Sequence, residues 1–412
     1  MHRYDVWKLG YSPICTNELD KALQNYPNTE IANLLSEGFR CGFKLHYDGS
    51  RVPYENKNLK YLLHNTEAAI EKVENEIVND RIADPFQCRP ISNLRCSPIG
   101  LVPKKTSSWR LITHVSCPHM NSVNDFIDSK FATVHYSSFD NAVSIVKILG
   151  ENARIAKMDI KSAFRLLTCY PGEFNLLGFK IGSQYYIDKC MPMGSSTSCS
   201  AFEMFSTFLH WLTQKEAGLN TLDHYLDDFF LAGKTESNEC EHLMATFTRI
   251  CKTLTVPIAV EKTEGPSCIM ELLGLTINSI DMTIQIPEKK LKELLTQIKE
   301  VAYSKKVTLK KLQSLCGILS FCTRAMPAGR AFSRRLYMAT SKAKKTHHLI
   351  RVTKEMFNDF MIWKMFIEHF NGTFFKLDDI WVSNFDLQLY TDSAGGVGKV
   401  LCVDVISMVS GP

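Results

Sequence analysis

Apolar residues recur every three or four positions over the first 85 residues, a spacing typical of amphipathic helices. Two apolar stripes carry this pattern: Ile31, Leu34 and Leu35, and, behind Asn65-Thr66, Ile70, Val73 and Ile77. Gly38 is expected to end the first helix, and Asn65-Thr66 is expected to cap the second. We interpret residues 1–85 as a helical extension that packs on the main body of the protein.

From about residue 97, short apolar runs alternate with turn residues, which predicts antiparallel hairpins. The predicted hairpins pair 97–105 with 109–115, the two halves of 179–187 around Gly182-Ser183, Tyr225-Leu226 with Phe229-Phe230-Leu231, and 272–277 with 282–286. A further strand is expected to end at Asp159, because Met158 and Ile160 point to one face and Asp159 to the other.

Four later apolar stripes return to helical spacing, and each predicts the buried face of a helix. Their members are Phe202, Phe205, Leu209 and Leu212; Cys240, Leu243, Phe247 and Ile250; Leu291, Leu294, Leu295, Ile298 and Val301; and Leu309, Leu312, Leu315 and Leu319. Thr308 is expected to cap the last of these helices. The stripe from Phe202 to Leu212 indicates core packing and not a cofactor site.

Two adjacent acids, Asp227 and Asp228, interrupt an unusually apolar hairpin. An adjacent acid pair is often a solvated turn. Here the flanking aromatic residues predict burial, and a buried acid pair needs a cation or a proton to compensate it. Asp159 supplies a third acid at a strand end, although such an acid can instead cap the following helix. Three carboxylates together would offer oxygen ligands to a divalent metal ion.

Basic residues are concentrated in two places. Lys104, Lys105 and Arg110 lie near the tip of the first hairpin, where an arginine fork and two ammonium groups suit a triphosphate. Residues 287–345 contain 15 Lys and Arg against 3 Asp and Glu, a local balance of +12 in a chain of net charge +5. This asymmetry predicts a polyanionic partner, and the alternative is a solvated helical surface.

Composition narrows the class of protein. The chain has 412 residues, 45% hydrophobic and 22% charged, which is typical of a soluble globular protein. No run of 18 apolar residues and no apolar signal core is present, so we expect no membrane segment and no signal peptide. The 14 cysteines are scattered without a C-x-x-C pair, which favours reduced thiols in an intracellular compartment, cytoplasmic or nuclear.

The order of the motifs resembles that of a reverse transcriptase. The shared series is the basic hairpin, D-I-K-S-A-F (159–164), M-P-M-G (191–194), Y-L-D-D (225–228), a lysine turn (261–265) and L-G-L-T-I (273–277), and it covers roughly residues 90–345. The resemblance implies an α+β right-hand polymerase with fingers, a palm of antiparallel strands backed by helices, and a helical thumb. The stretches V-P-K-K, D-K-C-M-P-M-G-S-S-T-S-C and F-S-T-F-L-H-W look most like retrotransposons of the tyrosine-recombinase (DIRS/Ngaro) group.

The resemblance also implies roles for individual residues. Asp159, Asp227 and Asp228 match the catalytic carboxylates that hold two Mg²⁺ ions, with Mn²⁺ as a possible substitute. Positions that match nucleotide-binding residues are Lys104 or Lys105, Arg110, Phe164, Met193, Gly194 and Lys262. Among them, Phe164 matches the aromatic residue that closes the sugar pocket. Met193 and Cys199 depart from the Gln and Pro of many retroviral enzymes, which alters local nucleotide contacts but not the reaction.

The implied reaction is RNA-directed DNA synthesis, in which deoxynucleoside triphosphates are added to a primer 3′-hydroxyl on an RNA or DNA template. Two other classes stay open: a catalytically inactive nucleic-acid-binding relic of a transposon, and a two-metal nuclease. The intact acid triad counts against the relic, and the truncated C-terminus counts for it. A nuclease would need neither a triphosphate-binding hairpin nor an aromatic residue at the sugar.

The last residues resemble the start of a second domain. L-Y-T-D-S-A-G-G (389–396) looks like the first strand of a ribonuclease H domain, with Asp392 as its first acid. Only 20 residues follow Asp392, and they add a single acid, Asp404, so we expect a truncated stub without ribonuclease H activity. The expected domains are a helical extension (1–85), fingers and palm (86–286), a basic thumb (287–345), a connection (346–388) and the stub (389–412).

Overall fold

The N-terminal part of the chain is mainly helical, as its apolar spacing predicts. Its elements are α1 (Thr16–Leu23), α2 (Thr29–Cys41), β1 (Tyr54–Glu55), α3 (Lys60–Leu63), α4 (Thr66–Val78) and β2 (Arg95–Cys96). The computed structural model describes residues 6–103, 109–341, 343–369 and 372–375.

Two local expectations in this part are wrong. Helix α2 continues past Gly38 and ends at Cys41, and the chain turns at Gly42, whose φ of +96° favours glycine. The ring of Phe43 lies against Gly38, so this glycine allows a close contact instead of ending the helix. Asn65 precedes α4, but its side-chain amide donates to a preceding carbonyl at 3.0 Å and does not cap the helix.

A four-stranded antiparallel sheet forms the centre of the middle part. The elements here are β3 (Ile99–Pro103), β4 (Trp109–Thr113), α5 (Phe139–Leu149), β5 (Arg154–Asp159), β6 (Gly178–Ile181), β7 (Gln184–Ile187), α6 (Ser196–Ala217), β8 (Leu222–Tyr225), β9 (Asp228–Gly233), α7 (Glu239–Leu254) and β10 (Glu264–Ser267). The central sheet has the order β10-β5-β9-β8, and each of its pairs is antiparallel. The predicted hairpins β3–β4, β6–β7 and β8–β9 are confirmed.

Strand β9 is buried on both faces and joins two hydrophobic cores. Phe229 packs in the core that contains α6 and α7, whereas Phe230 packs in the core that contains α5 and the C-terminal helices. Both rings are at most 2% exposed. Because a shift of one residue would exchange the two faces of the strand, this packing fixes the register of β9 and the position of its first residue, Asp228.

The C-terminal part combines a second antiparallel sheet with a helical bundle. Its elements are β11 (Ile269–Leu272), β12 (Leu275–Asn278), β13 (Thr283–Gln285), α8 (Glu288–Ala302), β14 (Lys306–Thr308), α9 (Leu309–Cys322), α10 (Arg334–Ser341), β15 (Leu349–Arg351), α11 (Lys354–Glu368) and β16 (Thr373–Phe374). Thr308 caps α9 as predicted, because its hydroxyl accepts from the amide of Lys311 at 3.3 Å. The predicted helices α8 and α9 bury their leucine stripes in one core.

The predicted strand 272–277 is wrong in one respect. The chain turns at Leu273-Gly274, where both residues have positive φ (46° and 84°), so the segment contributes to two strands. Strand β11 pairs with β12, and β12 pairs with β13 as expected. The pattern misled because leucine dominates the segment and conceals a turn that glycine makes possible.

Some expectations concern residues that the structure does not describe. Lys104 and Lys105, at the tip of the β3–β4 hairpin, lie outside the described residues, and so does the segment 376–412 with Asp392. The domain boundaries also stay predictions. Within the described ranges, no helix is long and apolar enough to cross a membrane. The 13 cysteines of these ranges are free thiols.

Candidate active site

Backbone pairing brings the three predicted acids to one end of the central sheet. Asp159 is the last residue of β5 and lies directly opposite Asp228, the first residue of β9. Asp227 stands in the turn between β8 and β9, and its carbonyl accepts from the amide of Ile160 at 3.0 Å. Leu226 completes this turn with a φ of +53°. Asp159 and Asp227, which are 68 positions apart in the sequence, are therefore adjacent in the fold.

Burial and neighbouring charges shift the pKa values of two carboxyl groups of this cluster, Asp227 and Asp228. The pKa of Asp228 is raised to about 6 by its burial and by the neighbouring charges of Asp227 and Asp159. Burial and the charge of Asp159 also raise the pKa of Asp227. The neighbouring carboxylates thus disfavour ionisation of Asp227 and Asp228, which is expected where a bound cation supplies the missing positive charge.

Asp159 provides the test of whether a divalent cation fits. Its side chain is 8% exposed, and one carboxylate oxygen, Oδ1, is buried without a hydrogen-bond partner. Its other oxygen, Oδ2, accepts from the ammonium of Lys262 at 2.7 Å. An unsatisfied buried carboxylate oxygen among two further carboxylates is the hard oxygen donor set that Mg²⁺ prefers. The residues of this site therefore fit a magnesium ion.

Lys262 reaches Asp159 because strand β10 adds to the edge of the central sheet. A short 3-10 turn, Val260–Lys262, precedes β10, and β10 pairs with β5. Burial lowers the pKa of Lys262, but the hydrogen bond and charge of Asp159 outweigh that effect and raise it above the ordinary value, so the group is charged. The lysine turn predicted from the sequence is thus placed at the acid cluster and compensates part of its charge.

Phe164 lies beside the acids in a second short turn. It belongs to the 3-10 turn Ala163–Leu166, which follows β5 directly. Its half-buried ring meets the ring of Phe202 edge-on, with 5.8 Å between centroids. Helix α6 therefore supports the aromatic residue that was predicted to contact the sugar.

The loop at Met193-Gly194 packs against β4. A side chain at position 194 would collide with the carbonyl oxygen of Thr113, and the Gly194 carbonyl accepts from the amide of Asn124 at 2.9 Å. Met193 is 48% exposed. Glycine is thus needed here for contact with the protein's own backbone, and this contact joins the loop to the strand that carries Arg110.

Arg110 faces the acid cluster from the hairpin β3–β4. It lies opposite Val102 in the hairpin register and is exposed. Its charge is near enough to oppose the rise in the pKa of Asp227. The structure therefore brings Arg110 and Lys262 to the three acids, as well as Phe164 to one side of them.

A groove beside α6 was not anticipated from the sequence. It has a volume of about 640 Å³ and lies between α2, the segment around residue 131, and the first half of α6. Lys44 and Lys130 line it, and the rings of His46 and Phe131 stack with 3.8 Å between centroids. Leu34, which the helical pattern placed in the core, is 42% exposed on its wall. No local pattern marks this groove, because its residues come from distant segments.

His210 on α6 and His224 on β8 form a second possible cation site, in which the two rings lie at hydrogen-bond distance. The Nδ1 atoms of His210 and His224 are 2.8 Å apart, and His224 Nε2 lies 3.3 Å from a Glu203 oxygen. The nearby carboxylate of Asp223 belongs to the next residue along the strand, and Ser137 already donates to it. The ligand atoms of His210, Asp223 and His224 lie within 4.8 Å of one another, so all three are within reach of one ion, but the two histidine rings already lie at hydrogen-bond distance and Ser137 already donates to Asp223.

The central sheet is antiparallel, carries three clustered acids, is backed by helices and is followed by a helical segment. This arrangement is the right-hand polymerase fold, so the predicted fold class is confirmed. Residues 102–277 match the family model described as reverse transcriptase (RNA-dependent DNA polymerase).

The comparisons with individual proteins agree with this assignment. The Pro-Pol polyprotein of feline foamy virus is 22% identical over 271 residues, which cover 66% of this chain but 21% of the polyprotein. The foamy viral protease-reverse transcriptase in complex with double-stranded DNA is similar in structure, with a TM-score of 0.58 at 16% identity, over 88% of this chain and 61% of that chain. The same viral enzyme with an RNA/DNA hybrid gives 0.55 at 15% identity, over 88% and 47%. The chain thus spans about a fifth of the curated relative.

Replacement of Asp228 by Asn should stabilise the metal-free chain. The folded-state pKa of about 6 lies above the ordinary carboxyl value, so wild-type stability is highest when Asp228 is protonated and falls as the pH rises through 6. At about pH 7.5 in chelator, thermal unfolding should show the variant more stable by about 1 kcal/mol after solvent screening is allowed for. The gain should shrink at about pH 5. An equal gain at both values would contradict the mutual repulsion.

Proposed function

We propose that this chain is an RNA-directed DNA polymerase that adds deoxynucleotides to the 3′-hydroxyl of a primer on an RNA or DNA template. The observation that carries the proposal is the convergence of Asp159, Asp227 and Asp228, with one buried carboxylate oxygen left unsatisfied. The match of residues 102–277 to the reverse transcriptase family model supports it independently.

Asp159, Asp227 and Asp228 would hold two Mg²⁺ ions, or Mn²⁺, through their carboxylate oxygens. When bound, the metal ions supply activation of the primer hydroxyl and neutralisation of the charge on the leaving pyrophosphate. The chain's own cations complete the neutralisation of the triphosphate: Arg110 from the hairpin, with Lys104 or Lys105 as its predicted partner. Lys262 holds the Asp159 carboxylate in place through its hydrogen bond to Oδ2.

The nucleic acid would lie across the groove beside α6 and on the basic segment 287–345. The stacked His46 and Phe131 rings of the groove offer a surface for bases. Lys44 and Lys130 would contact the phosphate backbone by exchanging their surface ion pairs with Glu37 and Asp128. The foamy viral enzyme was solved with double-stranded DNA and with an RNA/DNA hybrid. We carry this partner class over to the present chain.

A retrotransposon of the tyrosine-recombinase (DIRS/Ngaro) group is the proposed source, and it rests on the sequence resemblance alone. A catalytically inactive relic is the second candidate. The intact acids, the cation on Asp159 and the buried support of Phe164 favour the enzyme, because a binding-only relic would not need them.

The first prediction concerns the acid in the turn. Asp227→Asn should reduce primer extension on an RNA template by at least ~10³, because a lost metal ligand removes several kcal/mol of transition-state stabilisation. Asp140→Asn, an exposed acid on α5, is the matched control and should extend normally. Primer–template affinity should stay unchanged in both variants. Extension by Asp227→Asn within about tenfold of wild type would rule out the metal-binding role.

The second prediction concerns sugar selection. Phe164→Ala should raise the incorporation of ribonucleotides relative to deoxyribonucleotides, since removal of the ring opens space for a 2′-hydroxyl. Phe164→Tyr keeps the ring that Phe202 supports and should keep the wild-type ratio. Single-nucleotide extension with paired dNTP and rNTP measures this ratio. If the alanine variant discriminates as wild type does, Phe164 is a core residue and no more.

The third prediction concerns the basic segment. Lys289, Lys299 and Lys310 have exposed side chains on α8 and α9. Their triple replacement by Gln should weaken duplex binding equally for different sequences and flatten the log–log salt dependence by about one unit per lost phosphate contact. A matched triple of exposed lysines elsewhere, Lys57, Lys234 and Lys252, should leave the slope unchanged. A lower affinity with an unaltered slope would assign the segment a structural role.

A further inference from the structure

A buried arginine next to the predicted sugar-contacting residue links three separate segments. Arg165 Nη1 donates to both carboxylate oxygens of Asp188 at 2.8 Å, and its Nε donates to Glu76 Oε2 at 2.8 Å. Glu76 belongs to α4, and Asp188 follows β7. The side chain of Arg165 is 20% exposed and that of Asp188 is 8% exposed. This pair is therefore not an ordinary surface salt bridge.

The guanidinium of Arg165 stays charged in its largely buried position. Burial, the largest influence, lowers the pKa of Arg165, but the charges of Asp188 and Glu76 outweigh it and hold this pKa above the ordinary value. A two-pronged arginine–carboxylate contact also fixes orientation, because both planar groups must align. Loss of either partner would leave a buried charge uncompensated.

On one side, the network fixes the turn that presents Phe164. Arg165 directly follows Phe164 in the Ala163–Leu166 turn, and its amide donates to the carbonyl of Ser162 at 2.8 Å. Ser162 has a φ of +57°, a conformation that L-residues rarely adopt. A 3-10 turn is held by few and poorly aligned hydrogen bonds, so this turn depends on side-chain anchoring.

On the other side, the same network fixes the segment that leads into the Met193-Gly194 loop. Asp188 Oδ1 accepts from the amide of Cys190 at 3.1 Å, and the amide of Met191 donates to the carbonyl of Leu167 at 2.8 Å. Only Pro192 separates this anchored segment from Met193. The Arg165 guanidinium thus anchors both the turn that carries Phe164 and the segment that leads into the Met193-Gly194 loop. These are the two elements predicted to contact the incoming nucleotide.

We propose that Arg165 is a positioning residue that sets the separation between Phe164 and the Met193-Gly194 loop, and thereby the discrimination between deoxyribonucleotides and ribonucleotides. The inference rests on the proposed polymerase function. The hydrogen bonds of the Arg165 side chain to acids go to Glu76 and Asp188 and, among the described residues, not to Asp159, Asp227 or Asp228. Arg165 thus acts through Phe164 on one side and through Asp188 on the other.

The test compares Arg165→Lys with Arg51→Lys. Lysine keeps the charge but loses the two-pronged contact with Asp188. Arg51 is the matched control, since it also pairs with a buried acid, Glu173, and contacts Asn175 at 2.7 Å away from the nucleotide residues. We would measure KM for dNTP, the dNTP-to-rNTP incorporation ratio, kcat, primer–template affinity and Tm for both variants and wild type.

Arg165→Lys should raise KM for dNTP and lower the incorporation ratio, each by about tenfold, because a small displacement of a positioning group costs this much. Its kcat at saturating dNTP and its primer–template affinity should stay within about twofold of wild type. Arg51→Lys should lower Tm comparably and leave KM and the ratio unchanged. Should Arg165→Lys fail to fold, Glu76→Gln removes only the outer carboxylate and should give a smaller shift in the same direction.

Two outcomes overturn the inference. If Arg165→Lys, or Glu76→Gln in its place, lowers Tm but keeps the wild-type KM and ratio, the network is structural only and the proposed function is untouched. A wild-type chain that extends no primer overturns both proposals together. Primer extension by the wild-type chain therefore distinguishes the two failures.

Discussion

Electrostatic repulsion among three buried carboxylates is the constraint on which the rest of the structure depends. Two unit charges 4 Å apart repel by about 4 kcal/mol at an effective dielectric constant of 20, so such a cluster would separate if its backbone were free to move. It is not free, because Asp159 and Asp228 are paired residues of a strand ladder and Asp227 stands in the turn beside them. Burial, and after it the charges of the neighbouring acids, raises the pKa values of Asp227 and Asp228.

Packing behind the acids supplies the stability that holds them together. Phe229 and Phe230 bury opposite faces of β9 in two different cores, so a register shift would expose both rings. Helix α6 contributes Phe202, which belongs to the first core and also supports Phe164. The apolar stripe that looked like simple core packing thus orients a residue of the site. Residues for stability and for chemistry are coupled through the same rings.

Local patterns predicted much of this fold, and they failed where a contact is long-range. The β8–β9 hairpin, the Gly182-Ser183 turn and the Thr308 cap each depend on a few consecutive residues, so the sequence is sufficient for them. Gly38 and Leu273-Gly274 were misread, since the reason for each glycine is a close contact or a turn that the surrounding leucines conceal. The roles of Lys104 and Lys105 lie outside the described residues and stay predictions.

The ion pairs around the site could not be predicted from the sequence, for a different reason. Lys262 and Asp159 are 103 residues apart, and Arg165 meets Glu76 across 89 residues and Asp188 across 23. No periodicity encodes such pairs, because any acid elsewhere in the chain is an equal candidate until the fold chooses one.

The family resemblance could predict the role of Asp159 from its motif, but it could not show that the Lys262 ammonium pairs with it. At 16% identity with the foamy viral enzyme in its complex with double-stranded DNA, most side chains differ while the fold is shared. What a common fold preserves is therefore the ladder that aligns the acids. The ion pairs beside the acids, Arg165 with Asp188 above all, come from side chains that the shared fold alone does not specify.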